Sequence, residues 1–225
     1  MQLNVHEAAE LLGVNDRSVL RWIKKEGLPA VKINEVYRIN RIDLLEWATE
    51  HRLKLSPDIF ARLEIAQEQL PRISEALEAG GIHYDIAGAD QQSVLRNIVA
   101  LVKLPPQADR DFLLQILLAR EALGTTAIGD GIAIPHVRNP ILLHGVTPTI
   151  TLTFLAQPID FKAIDGKPVS ILFTLITPTP RVHLHILSKL AYLLRDERLQ
   201  EVLRRRGSAT EILSTIRGIE AELAV

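Results

Sequence analysis

The sequence predicts an α/β protein preceded by a small helix-turn-helix segment. Three observations indicate this. Two short helical patterns separated by Gly13 open the chain. Two short β-type runs and a further helical pattern follow them, up to residue 51. Strongly apolar β-type runs at 149–154 and 169–177 then stand among helical patterns, and strands interleaved with helices are typical of a layered α/β fold.

Composition narrows the class of protein. The chain has 225 residues, of which 47% are apolar, so it can bury a core and is not globally disordered. Its formal net charge of −1 does not suit a general polyanion binder, and the absence of cysteine excludes disulfides and thiolate sites. Glu7 and Glu10 interrupt any signal-peptide pattern, and no apolar run is long enough to span a membrane. We therefore expect a cytoplasmic protein without membrane insertion.

The first 54 residues read as one small domain. Asn4 and Glu7 have capping-box spacing at the start of a helix that ends at Gly13. A second helix is predicted to begin at Asn15 or Asp16 and to end at Gly27, and the short joint between the two is typical of a helix-turn-helix. β-type runs at 30–33 and 36–39, turning at Asn34-Glu35, and a helix at 41–51 complete the domain.

This segment resembles the excisionase/MerR-like winged helix-turn-helix family. The resemblance is carried by Glu-Ala-Ala-Glu-Leu-Leu-Gly-Val at 7–14, Ser-Val-Leu-Arg-Trp at 18–22, Gly-Leu-Pro-Ala at 27–30, Tyr-Arg-Ile at 37–39 and Asp-Leu-Leu at 43–45. In that family the second helix enters the DNA major groove and the wing touches the backbone. The resemblance therefore implies groove contacts by Arg17, Ser18, Arg21 and Lys25, and wing contacts by Lys32 and Arg38.

The charge of the segment leaves an alternative open. Glutamates nearly balance its cations: Glu7, Glu10, Glu35, Glu46 and Glu50. Because phosphate contacts dominate DNA affinity, one copy should bind weakly, and a homodimer on paired half-sites would compensate. The other interpretation is a protein-docking module of the same fold.

Residues 55–80 are expected to connect this domain to a large domain at 81–225. Ser56-Pro57 is typical of a helix start, and Pro71 breaks the helical pattern before a second short helix that leads to Gly80-Gly81. The connector could be a dimerisation helix, a spacer or a solvated link. In the large domain we predict strands at 82–86, 149–154 and 169–177, the last one central, and helices at about 90–102, 109–123, 181–194, 197–205 and 208–222.

The stretch from Arg120 to His136 carries the candidate chemistry. Gly129 and Gly131 predict a tight turn, whose bare backbone amides an anion can approach. A short apolar run follows, and Pro135 ends it, so His136 should lie just past a buried strand end. A histidine, an arginine and open amides together suit a phosphoryl group.

The large domain resembles the type-2 enzyme IIA proteins (fructose/mannitol and nitrogen-regulatory) of the phosphoenolpyruvate:sugar phosphotransferase system. The motif is Arg-Glu at 120–121, Thr-Thr at 125–126 and Gly-Asp-Gly-Ile-Ala-Ile-Pro-His at 129–136, with Pro-Ile-Asp-Phe at 158–161 and Asp-Gly-Lys-Pro-Val at 165–169. The resemblance implies a mixed sheet flanked by helices on both faces. Where the family usually has a small residue, this chain has Val137, which we expect to narrow access to His136.

Two histidines lie close together in the predicted helix at 181–194. Residues two positions apart on a helix point in very different directions, so His183 and His185 cannot share one metal ion. We expect His183 to face inward and His185 to face solvent, and the resemblance makes His183 the second histidine of the site. We interpret the remaining histidines as surface or structural: His6, His51, His83 and His144.

The resemblance implies a phosphocarrier rather than a turnover enzyme, with no cofactor and no metal. His136 would accept a phosphoryl group from an HPr-type phosphocarrier protein. His183 would set its reactive tautomer and bind the phosphoryl oxygens, Arg120 would offset charge, and Thr126, Gly129 and Gly131 would contact the phosphate. The first interpretation is a regulator that couples phosphorylation to DNA binding. The alternatives are a plain phosphocarrier feeding a separate IIB component, and a IIA-fold sensor that carries no phosphate.

Overall fold

The computed structural model describes residues 2–33, 36–51, 53, 70–104, 108–137 and 147–223. The helix predicted to begin at Ser56-Pro57, the turn at Asn34-Glu35 and His144 lie outside these residues. Within this part of the chain, every helix is too short or too polar to cross a membrane.

The N-terminal domain has the predicted helix-turn-helix and the two predicted strands, together with a third, short strand. Its elements are β1 (Gln2–Leu3), α1 (Val5–Leu12), α2 (Asp16–Lys25), β2 (Val31–Ile33), β3 (Val36–Asn40) and α3 (Arg41–Glu50). The capping box of Asn4 and Glu7 is present, and Gly13 ends α1 in the left-handed conformation. The strand order is β1-β3-β2, all antiparallel. Strand β1 was not predicted, because two residues are too few to show a period.

The large domain contains both strands and helices, as predicted. Its elements are α4 (Ile73–Gly80), β4 (Ile82–Ile86), α5 (Gln91–Leu101), α6 (Arg110–Ala122), β5 (Ala127–Gly129), β6 (Ile132–Ala133), β7 (Thr149–Ile159), β8 (Val169–Ile176), α7 (Pro180–Leu193), α8 (Glu197–Arg204) and α9 (Ala209–Leu223). Strand β7 extends further than the predicted 149–154, so it takes in Pro158-Ile159 of the expected connecting segment. A register shift between Phe154 and Ile159 lets the strand continue.

The sheet is mixed, as the family resemblance implied. Its strand order is β4-β7-β8-β6-β5, with β8 in the centre. β4 pairs parallel with β7, and β6 pairs parallel with β8, whereas β7–β8 and β5–β6 are antiparallel. β8 therefore has a paired strand on each edge. Its almost continuous apolar sequence is typical of a central strand whose two faces are both covered.

Helices cover both faces of this sheet. Ile171 and Phe173 of β8 point to one face and pack with α4, α7, α8 and α9, whereas Leu172 points to the other face and packs with α5 and α6. Successive side chains of a strand point to opposite faces, so one strand supplies both cores. This alternation also fixes the side on which each residue of the β6 segment lies.

Helix α4, which the sequence placed in the connector, packs on the sheet. Ile73, Ala76 and Leu77 are buried in the same core as Phe154 and Phe173. Gly80 lies so close to β7 that an added Cβ would be 2.2 Å from the carbonyl oxygen of Ile150. The glycine is therefore needed for the close approach of helix and strand.

The helix-turn-helix domain is docked on the large domain through α3 and α7. Leu184 of α7 is buried in the core of the N-terminal domain, beside residues such as Leu44 and Trp47. Thr49 and Leu53 line a cleft of about 270 Å³ together with Tyr192 of α7 and the turn between β5 and β6. This docking places α3 over His136.

Candidate functional site

The site is formed where three segments of the large domain meet. Arg120 lies in the last turn of α6, His136 follows β6, and His183 lies in the first turn of α7. All three are buried, with exposures of 6%, 3% and 0%. The sequence predicted this cluster, and the structure brings the three residues together; the catalytic roles assigned to them stay predictions.

His136 is fixed by the backbone around it. The carbonyl of Pro135 accepts from the Leu175 amide at 2.9 Å, which ties the segment to the central strand. The Nδ1 of His136 lies 2.7 Å from the carbonyl oxygen of Ile134, to which it can only donate. The tautomer of a neutral ring is therefore set by this carbonyl, and not by His183 as we expected. It follows that Nε2 is the atom available for reaction.

His183 lies against His136 from the neighbouring helix. The two ring centroids are 5.1 Å apart, and Nδ1 of His183 is 3.4 Å from Oγ1 of Thr177. Burial lowers the pKa of His183, although the carboxylate of Glu46 acts in the opposite direction. Thr179 caps α7 and Pro180 occupies its first turn, so the positive end of the helix dipole also faces the site.

Arg120 contacts several groups of the site and supplies a permanent positive charge. Its NH1 group donates to the carbonyl oxygen of Gly124 at 2.9 Å, which holds the guanidinium at the end of α6. Its Nε lies 3.3 Å from Nε2 of His136. A buried guanidinium beside two imidazoles makes a pocket for an anion.

Two acidic residues from the helix-turn-helix domain fill this pocket. Oε1 of Glu46 is 3.1 Å from Nε2 of His136 and 3.8 Å from Nε2 of His183. Oε2 of Glu46 and Oε1 of Glu50 lie 3.4 Å and 3.0 Å from the NH2 group of Arg120. Burial opposes ionisation of Glu46, but the bonds to His136 and His183 and the charge of Arg120 outweigh it. Its pKa is therefore far below the ordinary value.

Sequence reasoning missed both glutamates, which it treated only as charges that balance the domain. One signal was present. Glu46 and Glu50 are four positions apart on α3, where like charges repel within a helix. Such a pair indicates a cation outside the helix, here Arg120. The sequence pattern of neither domain, taken by itself, shows that α3 contacts Arg120.

Glu46, His136 and His183 also have the composition of a metal site. One ligand atom from each lies within 4.8 Å of the others, and a carboxylate with two histidines can bind zinc. Sequence spacing could not show this set, because its members come from separate segments. Arg120, however, lies against the carboxylate and one imidazole. A guanidinium about 4 Å from a divalent ion costs about 8 kcal/mol at an effective dielectric constant near 20, so the pocket favours an anion.

The glycine turn is not part of this pocket. Gly129, Asp130 and Gly131 all have positive φ and form the predicted tight turn. The carbonyl of Gly131 pairs with Ile171, whereas His136 pairs with Leu175. Four residues of strand separate these positions by about 13 Å. The two glycines therefore do not reach a phosphoryl group on His136, and the Asp130 amide already donates to Asp165.

Thr126 and Glu121 form hydrogen bonds that position the segment leading to His136. Both the amide and the hydroxyl of Thr126 donate to the carboxylate of Glu121 at 2.7 Å, and burial raises the pKa of that carboxyl. The carbonyl of Thr126 accepts from the Ile134 amide, which positions the segment that carries His136. Thr126 thus holds the segment in place, and its hydroxyl is already bonded.

Two expectations about neighbouring residues were wrong. Val137 does not narrow the site, because it points to the opposite face from His136 and is buried against α5 and α6. His185 does not face solvent: it is 2% exposed, and its Nε2 lies 3.1 Å from the carbonyl oxygen of Pro71. Burial lowers the pKa of His185 to about 4, with a smaller effect of Lys189. The segment before α4 covers this side of α7, which its periodicity did not reveal.

The candidate DNA contacts lie on the N-terminal domain, away from His136. Arg17, Arg21 and Lys25 are exposed on α2, and Lys32 and Arg38 are exposed on β2 and β3. Ser18 is half-buried, and its hydroxyl donates to Asn15 at 3.1 Å, so it stabilises the start of α2. Arg21 also pairs with Glu26 at 3.1 Å.

Comparisons with known proteins agree with the fold. The family model described as "Phosphoenolpyruvate-dependent sugar phosphotransferase system, EIIA 2" matches residues 75–218, and one described as "Helix-turn-helix domain" matches residues 3–52. The first match covers more than half of the chain. The chain therefore belongs to the type-2 EIIA family and carries an N-terminal helix-turn-helix domain.

Within this family the chain is similar to nitrogen regulatory proteins. It is 34% identical to one from Pseudomonas aeruginosa over 149 residues, which are 64% of this chain and 94% of the relative. It is 38% identical to one from Escherichia coli over 122 residues, 53% of this chain and 71% of the relative. The crystal structure of the nitrogen regulatory protein IIA-Ntr from Neisseria meningitidis matches with a TM-score of 0.57 and 30% identity, over 64% of this chain and 98% of that one.

Proposed function

We propose that this protein accepts a phosphoryl group on His136 from the phosphohistidine of an HPr-type carrier, and that its helix-turn-helix domain converts this state into a change in DNA binding. The observation that supports the first part is the environment of one atom. Nε2 of His136 is the ring nitrogen that is not bonded to the backbone, and Arg120 and His183 stand on either side of it. In the transfer, the bond from phosphorus to the carrier nitrogen breaks as the bond to Nε2 forms.

The residues of the chain act mainly by position and charge. A phosphoryl group in transfer carries negative charge on its outer oxygens, and fixed cations stabilise it. Arg120 is placed to pair with one oxygen, and the His183 ring to donate to another. Transfer between two histidines needs no metal, because the donor is already activated by its weak phosphorus–nitrogen bond.

Intact-mass measurement of phosphorylation tests this proposal. The protein is incubated with phosphoenolpyruvate, enzyme I and an HPr-type carrier. We expect the wild type to gain one phosphoryl group and His136→Ala to gain none. His6→Ala is the matched control, because His6 is exposed on the other domain and should leave labelling unchanged. A labelled His136→Ala protein, or a wild type that a competent carrier never labels, would contradict the proposal.

Salt-dependent DNA affinity tests the second part. Arg17, Arg21 and Lys25 repeat every four residues along an exposed face of α2, which is the spacing of a basic groove-facing stripe. Fluorescence anisotropy with duplex DNA at several salt concentrations should show that Arg21→Ala and Lys25→Ala each lower the logarithmic salt slope by about 0.9. Lys103→Ala, an exposed change on the large domain, should not change the slope. Equal slopes for all variants would favour a plain phosphocarrier with a docking domain.

A further inference from the structure

Two carboxylates of the helix-turn-helix domain contact the buried site of the large domain. Glu46 and Glu50 lie on successive turns of α3, so both carboxylates point from one face of that helix. Glu46 is 4% exposed although it is charged, and its oxygens contact His136 and Arg120. A buried carboxylate is retained only where partners satisfy it, and here Arg120, His136 and His183 of the large domain are such partners.

Apolar packing between α3 and α7 surrounds this contact. Leu184, one residue after His183, is 6% exposed and forms part of the core of the helix-turn-helix domain. Buried apolar contact therefore holds α3 on α7, and the carboxylates are carried into the pocket by a packed interface. The position of Glu46 is set by this packing as well as by its charge.

We infer that α3 is an internal inhibitor of the phosphoryl site, with Glu46 and Glu50 standing in for the oxygens of a phosphoryl group. This inference rests on the proposed function. Oε1 of Glu46 is 3.1 Å from Nε2 of His136, at hydrogen-bond distance, so no phosphorus atom can reach that nitrogen while α3 is docked. Docking of the helix-turn-helix domain and phosphorylation of His136 exclude each other.

The carboxylate also occupies the position that phosphorus must take. Oε1 of Glu46 lies at hydrogen-bond distance from Nε2 of His136, while Nδ1 of the same ring donates to the carbonyl oxygen of Ile134. Nε2 is therefore the nitrogen that phosphorus would have to reach, and Glu46 stands in front of it. When Glu46 leaves, this position opens, and Arg120, whose Nε lies 3.3 Å from Nε2, remains beside it.

Phosphorylation should in turn expel α3. A phosphoryl group adds about two negative charges to His136, where they would meet the carboxylates of Glu46 and Glu50. Arg17, Arg21 and Lys25 are exposed in the docked state. Release therefore frees the helix-turn-helix domain from a fixed position on the large domain, and does not uncover a hidden DNA surface.

The first test is the rate at which His136 is phosphorylated in the full chain. The donor is phosphoramidate, whose phosphorus–nitrogen bond breaks with release of ammonia, so no carrier protein is needed. We expect Glu46→Gln and Glu46→Ala to be labelled at least tenfold faster than the wild type, and Glu50→Gln to show a smaller gain. Glu10→Gln is the matched control, because it removes the same charge from an exposed site on the same domain and should leave the rate unchanged.

The second test follows the position of the domain. Small-angle X-ray scattering should show a larger radius of gyration for the phosphorylated wild type than for the unphosphorylated protein, and unphosphorylated Glu46→Ala should already be expanded. Equal labelling rates for the wild type and both Glu46 variants, or a scattering profile that phosphorylation leaves unchanged, would overturn the inference.

Comparison of donors separates the two proposals. If the HPr-type carrier never labels any variant but phosphoramidate labels His136 faster in the Glu46 variants, the inhibitor stands and the proposed carrier is wrong. If the carrier labels the wild type as fast as the Glu46 variants, the proposed function stands and the inhibitor is wrong. A His136→Ala protein serves as the blank in both cases.

Discussion

Replacing Arg120 with alanine is expected to destabilise the docked protein by about 3 to 5 kcal/mol, because it leaves charged partners buried without their cation. The guanidinium contacts Glu46 at 3.4 Å, Glu50 at 3.0 Å and the Gly124 carbonyl at 2.9 Å. The helix-turn-helix domain can escape part of the cost by leaving the site. The loss should therefore appear first as earlier unfolding of that domain.

Urea unfolding with two probes measures this effect. Both tryptophans, Trp22 and Trp47, lie in the helix-turn-helix domain, so fluorescence reports that domain, whereas far-UV circular dichroism reports the whole chain. In Arg120→Ala the fluorescence midpoint should fall below the circular dichroism midpoint. The double variant Arg120→Ala/Glu46→Ala should lose less than the sum of the single variants, because the two side chains interact. Strict additivity would show that the contact contributes nothing.

Replacing Gly80 with alanine should cost about 3 kcal/mol in the free energy of unfolding, because the new methyl group has no space. Its Cβ would lie 2.2 Å from the carbonyl oxygen and 2.4 Å from the carbonyl carbon of Ile150, which are backbone atoms that cannot rotate away. Helix α4 would have to move off β7 and would loosen the packing of Ile73 and Leu77, both fully buried.

Gly218→Ala is the matched control for this prediction. Gly218 lies in α9, and nothing stands within 4 Å of the position that its Cβ would take. Alanine forms helix more readily than glycine, so this change should stabilise the protein by about 1 kcal/mol. Circular dichroism in urea should therefore give shifts of opposite sign for the two substitutions. Shifts of equal sign would show that the approach of α4 to β7 does not limit residue 80.

Local patterns were sufficient where local physics decides the structure. The capping residues Asn4 and Asn15, the turn at Gly129–Gly131 and the helical spacing that turns His183 inward all follow from neighbours in sequence. Arg120 and His136 were predicted because a long motif with fixed spacing carries them, and His183 was predicted because the family resemblance implied it. Family resemblance, and not periodicity, supplied the expectation of a mixed sheet with helices on both faces.

Contacts between distant segments could not be predicted in this way. Glu46 looks like any surface acid of a helix until α7 is placed against it, and His185 looks exposed until the Pro71 segment covers it. Val137 was expected to narrow access to His136 because the two residues are neighbours in sequence. Successive side chains of an extended segment point to opposite faces, so Val137 points away from the site. The glycine turn was expected beside His136 because the two are close in sequence. The extended segment between them separates the turn from the histidine along the sheet.

The order of the elements along the chain determines the order in which the site is completed during synthesis. The carboxylates of α3 emerge early, whereas the central strand that anchors His136 ends at Ile176. At ~5–20 residues per second, ribosomal elongation takes roughly 6–25 s to cover the ~125 residues between them. The helix-turn-helix domain, whose contacts are local, has time to fold before the pocket that receives it exists. Each nascent molecule therefore passes through an interval with a folded helix-turn-helix domain and no pocket to hold it.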